Sequence, residues 1–361
     1  MTLDREQVLA YRIAQHGLHR DPGGLDAVLD LGVQHAGADS ARLALAARGE
    51  TAAEALVIAW TFRGAPHLHR PGDLAALAPA LWPRSDADAV ARLSWDRTRV
   101  RRAGMPAVRA LREAADGMRA AVTAPMTKGT ASTAVTKAIP AGLSLWCRGC
   151  QATHVHEQLF RLAALPAGVR LERDATPLTL LPIVGWPGPP DGPNPRGQAK
   201  LITGYLRLHG PATPSEVASF LGSTPAEIRA IWPDGLAEVT LEGRTGWLPE
   251  DRLAELRDPP PAELVRLLPP SDPYLQARDR PLLVPDKGLH KELWRILGNP
   301  GAVLVDGEIA GVWRASKKAK RLETTVREFW RLPGNVRADI EKEAQRMAEV
   351  RGVPEAQVRY G

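Results

Sequence analysis

Cysteine is nearly absent from this chain. Cys147 and Cys150 are the only two among 361 residues, too few for a disulfide framework and consistent with a reducing compartment. Long apolar runs are missing too. Nothing approaches the ~20 consecutive apolar residues that a membrane span needs. The opening MTLDREQVLAYRIAQHG carries charge where a secretion signal would carry an apolar block. A cytoplasmic protein with no membrane partner is the expectation. Also absent are a Walker loop, a dinucleotide fingerprint, a zinc-protease helix and a nucleophile elbow, which argues against the NTPase, oxidoreductase and common hydrolase classes.

What the chain does have is size and basic charge. Its length exceeds what one core usually organises, so two to four substructures are expected. Lys and Arg number 47 against 41 Asp and Glu, a net +6, which favours polyanionic partners through counterion release. GC-rich coding loads proteins with Arg for unrelated reasons, so charge alone decides nothing. Two proline-rich breaks stand out, PGPPDGPNPR at 187–196 and RDPPPAEL at 257–264; both interrupt helix and paired strand.

Between these breaks the pattern is clearest. AKLITGYLRLHG carries a helical apolar stripe, and Thr213-Pro214-x-Glu216 and Thr224-Pro225-x-Glu227 each read as a capping box opening a short helix. LAEVTLEGRTGWLPE then alternates in strand fashion about a turn. Helix, helix and hairpin make a winged helix, a DNA-binding module by default. Two related orders precede it: LDREQVLAYRIAQHGL and VQHAGADSARLALAAR before the strand pair ALVIAWTFRGAPHLHR, then MPAVRALREAADGM and MTKGTASTAVTKAI before TPLTLLPIVGW. The expected segments are 1–104, 105–190, 197–257 and 262–361. The last reads as short strands, ELVRLLPP, RPLLVPD and GAVLVDGEIAGVWRASKKAKRLETTV, closed by the helix VRADIEKEAQRMAEVRG.

Four groups of residues could carry chemistry. Gln34 and His35 precede a helix opening near Asp39 or Ser40; a loop glutamine more often satisfies backbone. Arg63, His67 and His69 sit on the hairpin WTFRGAPHLHR, where the two histidines share a strand face and could meet DNA or a metal; ordinary surface residues are commoner, but all three are expected to contact the DNA strand. WCRGCQATHVHEQLF gathers Cys147, Cys150, His154 and His156 within ten residues. Zinc could use them, but the spacing is not that of a finger, and packing is the favoured reading. Lastly, Arg92, Arg97, Arg99, Arg101, Arg102, Arg109 and Arg112 form one basic run and KKAKR at 317–321 another, with Lys317, Lys318, Lys320 and Arg321 its cations. Phosphate contact is expected of both runs, with Lys128 added.

The strings GVQHAGADSARLALAAR, AWTFRGAPHLHR, WCRGCQATHVHEQLFRLAAL, LLPPSDPYLQARDR and GNPGAVLVDGEIAGVWR together resemble the AlkZ-like (YcaQ-like) winged-helix DNA glycosylases, in order and over most of the chain. The resemblance implies an α+β fold with three tandem winged-helix units and a C-terminal β-rich domain in a C-shaped body. It implies a monofunctional glycosylase excising bulky N7-alkylated purines from duplex DNA, with some members serving as self-resistance enzymes in actinobacterial antibiotic clusters. No cofactor or catalytic metal is implied, and a monomer is expected. The family's signature is Gln, an apolar residue, then Gln or Asp. Here Gln34 matches the first position, His35 stands at the second and Ala36 at the third, so the signature is incomplete and Gln34 with His35 are the expected catalytic residues. Ala36 leaves one alternative open, a noncatalytic winged-helix regulator or lesion-binding protein.

Overall fold

The computed structural model describes residues 2–21, 24–37, 39–49, 53–295 and 297–361. It divides into two compact units, one made of residues 1–53, 203–216 and 234–361, the other of 54–202 and 217–233. Among the described residues no helix is long and apolar enough to cross a membrane.

In the first unit a five-stranded sheet runs in the order Val265–Leu268, Gly301–Val305, Glu308–Lys318, Arg321–Glu328 and Glu355–Tyr360. The first four strands are antiparallel to one another in turn. The last pairs in parallel with Arg321–Glu328, which requires a crossover, and the helix Gly334–Val350 supplies it. That helix buries Val336, Ile340, Ala344, Met347 and Ala348, one face at helical spacing, among Val303, Trp313 and Val326 of the sheet. A second apolar cluster gathers Leu9 and Ile13 of the helix Arg5–Gln15 with Leu248, Leu268 and Leu304. The helix Arg5–Gln15 is capped by Asp4, which accepts from the Gln7 N–H at 2.7 Å, satisfying a donor the helix itself leaves open. Residues 2–3 form a parallel bridge to the hairpin Leu236–Leu241 and Arg244–Pro249, whose Glu242–Gly243 turn has both residues at positive φ, the type I′ geometry that matches strand twist.

RPLLVPD is not a strand. With Pro281 in the first turn and the Leu282 N–H donating to the Asp279 carbonyl at 2.8 Å, the chain makes the short helix Arg280–Leu283. Proline's missing N–H costs nothing at a helix start, whereas in a ladder it would remove a bond.

In the second unit five strands lie in the order Pro66–His69, Val57–Trp60, Val169–Leu171, Thr179–Pro182 and Met126–Thr127, antiparallel throughout. Ala107, Ala110, Leu111, Ala114, Ala115 and Met118 of the helix Ala107–Ala121 are buried along one face. A Cβ at Gly117 would stand 2.6 Å from Ile139 Cγ2, so this glycine lets Ile139 approach. The proline-rich stretch 187–196 belongs to this unit: Arg112 donates to the Pro190 carbonyl and the Asn194 N–H to that of Pro79 at 2.9 Å. The helix Pro195–His209 starts directly from it.

Two ion pairs are buried in the first unit. Arg12 grips Asp279 through Nη1 and Nη2 at 3.0 and 2.7 Å and donates from Nε to the Gly210 carbonyl at 3.1 Å. Arg48 holds Asp272 with two bonds of 2.9 Å, both side chains fully sealed from water. Removing one partner strands the other charge in a dry interior. Arg48→Met is therefore expected to destabilise the protein by about 3–5 kcal/mol, measured as a lower urea midpoint. A change under about 1 kcal/mol would mean the pair is not sealed as described.

Candidate active site

The QHA segment lies in the first unit. Val33–Gln34 is a two-residue strand, and the helix Ser40–Ala46 follows after a short turn. The turn is fixed from both sides: Gly37 has φ +82° and Asp39 φ +62°, and the Ser40 hydroxyl accepts from the Ala36 N–H at 2.7 Å. Ala38 falls outside the described residues. Asp39 rather than Ser40 precedes the first helical residue, but its side chain makes no cap bond. It pairs instead with Arg42 at 3.5 Å and approaches Arg351 Nε at 3.9 Å.

Gln34 is half-buried, and among the described residues its side chain has no hydrogen-bond partner. The expectation that a loop glutamine satisfies backbone therefore does not hold here. His35 is also half-buried. Ala36 and Gly37 are exposed and form one wall of a cleft of about 370 Å³. Pro270 and Ser271 line it further, and Arg314, Ala315 and Arg351 come from the sheet and the end of its crossover helix. Trp313 lies at its base, buried, with its indole N–H on the Leu268 carbonyl at 3.0 Å. Burial holds the Arg351 guanidinium below its ordinary pKa, with Asp39 acting in the opposite sense. The cleft thus combines a free amide nearby, two guanidinium groups and an apolar floor. Sequence reading missed Arg314, Arg351 and the Pro270–Ser271 wall, although all but Arg351 stand in or next to strings that carry the family resemblance.

The remaining site residues separate sharply. His67 and His69 do share a strand face, but it points inward: both are buried, beside Phe62 at ring distances of 5.4 and 6.4 Å and within 2.9 and 3.2 Å of the Thr61 hydroxyl. The expectation that they touch DNA is corrected. A period of two says which residues share a face, not which face meets solvent. Arg63 is corrected as well. It occupies the left-handed turn of the hairpin at φ 56°, donates to the Phe220 carbonyl and lies 5.0 Å over the Phe220 ring, so its charge is used inside its own unit.

Lys128 is half-buried and bonded to Glu157 at 2.6 Å. Arg92 is paired with Asp88 at 3.1 Å and Arg112 stacks over Trp82 at 4.8 Å. Both leave the basic run as packing residues. Arg97, Arg99, Arg101 and Arg102 are exposed on the helix Arg97–Arg102, with Arg99 also 2.9 Å from Asp96, and exposed Trp95 precedes them. Lys317, Lys318, Lys320 and Arg321 are exposed where Glu308–Lys318 turns into Arg321–Glu328. Lys317 donates to the Arg351 carbonyl at 2.8 Å and Arg321 pairs with Glu323 at 3.0 Å.

The cysteine cluster is not packing. Cys150 is exposed and Cys147 half-buried, and together with His154 their ligand atoms lie within 4.8 Å of one another. The neighbouring His154 ring, then contacts from Cys150 and Gly149, hold the Cys147 thiol down at about 7. His156 is not part of the group; it is buried, with neither ring nitrogen bonded. Gln158, unremarked in the sequence, is buried and ties the region together. Its side chain donates to the carbonyls of Arg63 and Arg92, each at 3.1 Å, and its N–H to Asp96 at 2.8 Å.

Burial drives the His69 pKa down to about 4, with Asp73 opposing, and lowers His67 through burial, then His69 and Arg63. Unfolded histidine titrates near 6.5. Between those values the unfolded chain holds a proton that folded His69 does not, so stability is complete above pH ~6.5 and falls as pH drops toward 4. The His69 contribution is roughly 3 kcal/mol. In urea titrations across that window His69→Gln should show a shallower pH slope than the wild type; parallel slopes would contradict a neutral buried ring.

Compared with known proteins, residues 28–350 match the family described as "DNA glycosylase AlkZ-like". An "Interstrand DNA cross-link repair glycosylase" of Streptomyces sahachiroi is 32% identical over 169 residues, 44% of this chain and 44% of that protein, so the matched stretch spans less than half the length of the curated relative. The solved structure of Streptomyces sahachiroi DNA glycosylase AlkZ superposes over 100% of both chains with a TM-score of 0.76 at 22% identity, which shows a shared fold. With nine-tenths of its length inside the family match, this chain belongs to the AlkZ-like DNA glycosylase family.

Proposed function

We propose that this protein is a DNA glycosylase that hydrolyses the N-glycosidic bond of bulky N7-alkylated purines in duplex DNA, with resistance to a DNA-alkylating natural product as its role. The observation that carries the reading is Gln34. It stands where the family signature has its first glutamine, half-buried and with an uncommitted amide, two residues from the cleft wall at Ala36. The division into three winged-helix segments and a β-rich domain, 1–104, 105–190, 197–257 and 262–361, is part of the same proposal. The element order helix Pro214–Leu221, helix Pro225–Arg229, hairpin 236–249 supports it in the third segment.

The chemistry asks little of the protein. Alkylation at N7 makes the purine a cation. When the C1′–N9 bond breaks, its electron pair passes to the base and neutralises that charge, leaving an oxocarbenium-like sugar. Water then forms the new bond to C1′ and gives up a proton. The Gln34 amide orients that water without acting as a strong base, and His35 is the adjacent residue whose ring could take the proton. An open cleft suits a large adduct better than the closed pocket of a base-extruding enzyme. Phosphates are met by Arg97, Arg99, Arg101 and Arg102 or by Lys317, Lys318, Lys320 and Arg321, an exposed cluster of cations in each unit.

The test is duplex DNA carrying an N7-alkylguanine, assayed for alkali-labile abasic sites. Gln34→Ala should lower the single-turnover excision rate by roughly 10²-fold or more with DNA affinity nearly unchanged. His35→Ala flattens the rate between pH ~5.5 and ~7.5 if His35 takes the proton. Full activity in the Gln34→Ala, His35→Ala double variant would misplace the active site. No excision by the wild type would leave the noncatalytic lesion-binding reading.

Affinity supplies a second measurement. About four phosphate contacts should weaken duplex binding ~10²-fold between ~50 and ~200 mM salt. Replacing Arg97, Arg99, Arg101 and Arg102 with Gln should flatten that dependence. Salt-independent binding would remove phosphate contact from the mechanism.

A further inference from the structure

Cys147 and Cys150 close the tip of a hairpin in which Ser144–Cys147 pairs with Ala152–Val155. The register sets Leu145 opposite His154 and Cys147 opposite Ala152. Directly opposed residues project to the same side of an antiparallel pair, so Cys147 and His154 are diagonal neighbours on one face. The turn 148–151 brings Cys150 back toward them, and all three ligand atoms fall within 4.8 Å of one another. A tetrahedral zinc ion, bound at about 2.3 Å to sulfur and about 2.0 Å to nitrogen, spaces its ligand atoms about 3.5–3.8 Å apart. Closing the group takes side-chain rotation of about an ångström.

A second observation points the same way. His154 Nδ1 lies 2.9 Å from the Val155 carbonyl. A carbonyl only accepts, so the proton sits on Nδ1 and the Nε2 lone pair is left as a ligand, the orientation metal-binding histidines commonly receive from a backbone acceptor. The nearby carboxylate, Glu157, is already held by Lys128 at 2.6 Å and Arg161 at 2.7 Å.

We propose that Cys147, Cys150 and His154 bind one zinc ion through two thiolates and an imidazole nitrogen, with water in the fourth position. Binding displaces the two thiol protons. The ion crosslinks the turn to the opposite strand, which matters because these strands are four residues each and, among the described residues, pair only with one another, and an isolated two-stranded hairpin is marginal in water. Fixing it orders exposed Trp146 and Arg148 on the same tip. His156 takes no part.

The test uses the full-length protein, reduced, stripped with chelator, then titrated with Zn²⁺ and separately with Co²⁺. The expected result is one equivalent of metal, with cobalt showing the sulfur-to-metal charge-transfer bands of a thiolate site. Cys147→Ser, Cys150→Ser and His154→Ala should each weaken binding at least ~10²-fold. Absence of the cobalt bands in the reduced wild type, which requires no variant to fold, overturns the site. So does stoichiometric zinc retained by the Cys147→Ser, Cys150→Ser double variant. A Cys147–Cys150 disulfide that, once reduced, yields thiols with no affinity for either ion overturns it as well. None of these readouts depends on activity toward DNA.

Discussion

Two buried carboxylates, Asp272 and Asp279, tie together distant parts of the first unit. A buried carboxylate must be paired and hydrogen-bonded or it costs several kcal/mol, and each here is met by an arginine distant in sequence: Arg48 for Asp272, Arg12 for Asp279. The consequence reaches the candidate site. Arg48 ends the segment begun by Ser40, whose hydroxyl fixes Ala36. Asp272, which also accepts from the Tyr274 N–H at 2.9 Å, follows Ser271. The two walls of the cleft, 36–37 and 270–271, are therefore joined through one buried ion pair. Such pairs are weak sources of net stability, but they discriminate strongly against wrong registers, because any slip leaves both charges unpaired.

The same economy appears around Arg12. His16 and His209 are buried with rings 4.9 Å apart, and burial, together with the nearby guanidinium groups, holds both well below their ordinary pKa. Neutral imidazoles can share an interior with Arg12 and Arg48, whereas protonated ones would repel them. Tyr205 packs 4.7 Å from His209 and accepts the Arg278 N–H at 3.1 Å. The polar interior of this unit is thus arranged around arginine–aspartate pairs, with the neighbouring imidazoles kept neutral.

What the sequence made legible was local. The first capping box forms in full, with the Glu216 N–H on Thr213 Oγ1 at 3.3 Å and the Thr213 N–H on Glu216 at 2.7 Å, because a cap depends on four neighbouring residues. At the second only the cap bond forms, the Glu227 N–H on Thr224 Oγ1 at 3.2 Å, because the Glu227 carboxylate is taken by Ser85 and Arg84 instead. The hairpins around Arg63–Gly64 and Glu242–Gly243 and the crossover helix were readable because their signals too are local. Inside and outside were not. The histidines of PHLH and the arginines at 92 and 112 look like surface residues in sequence; Asp88 and the ring of Phe62 nearby, and Trp82 and Pro190 farther along the chain, bury or bind them, and the alternation of residue types does not announce those contacts. The strand Glu355–Tyr360 has no local signal beyond alternation; its place is set by the parallel edge offered by Arg321–Glu328. The cleft was illegible because its walls lie more than two hundred residues apart, although Gln34 itself could be found by motif.

Ala36 is the point at which local pattern and site geometry meet. A glutamine or aspartate there would project a second polar group at the cleft wall, where the structure has a methyl and an N–H tied to Ser40. Under the proposed activity that loss is tolerable for one class of substrate. A neutral base is a poor leaving group, and its departure needs an acid or strong stabilisation of the sugar cation. An N7-alkylated purine carries its own positive charge and leaves neutral, so much of the barrier is lowered before the enzyme acts. What remains is to place one water, for which a single amide suffices, and to supply a dipole near the sugar. The methyl also leaves room at the wall that a longer side chain would fill, and room beside the reacting sugar is what a bulky adduct requires. Under the proposed activity the incomplete signature therefore favours large, charged lesions over small or neutral ones, at a cleft that also holds Arg314 and Arg351.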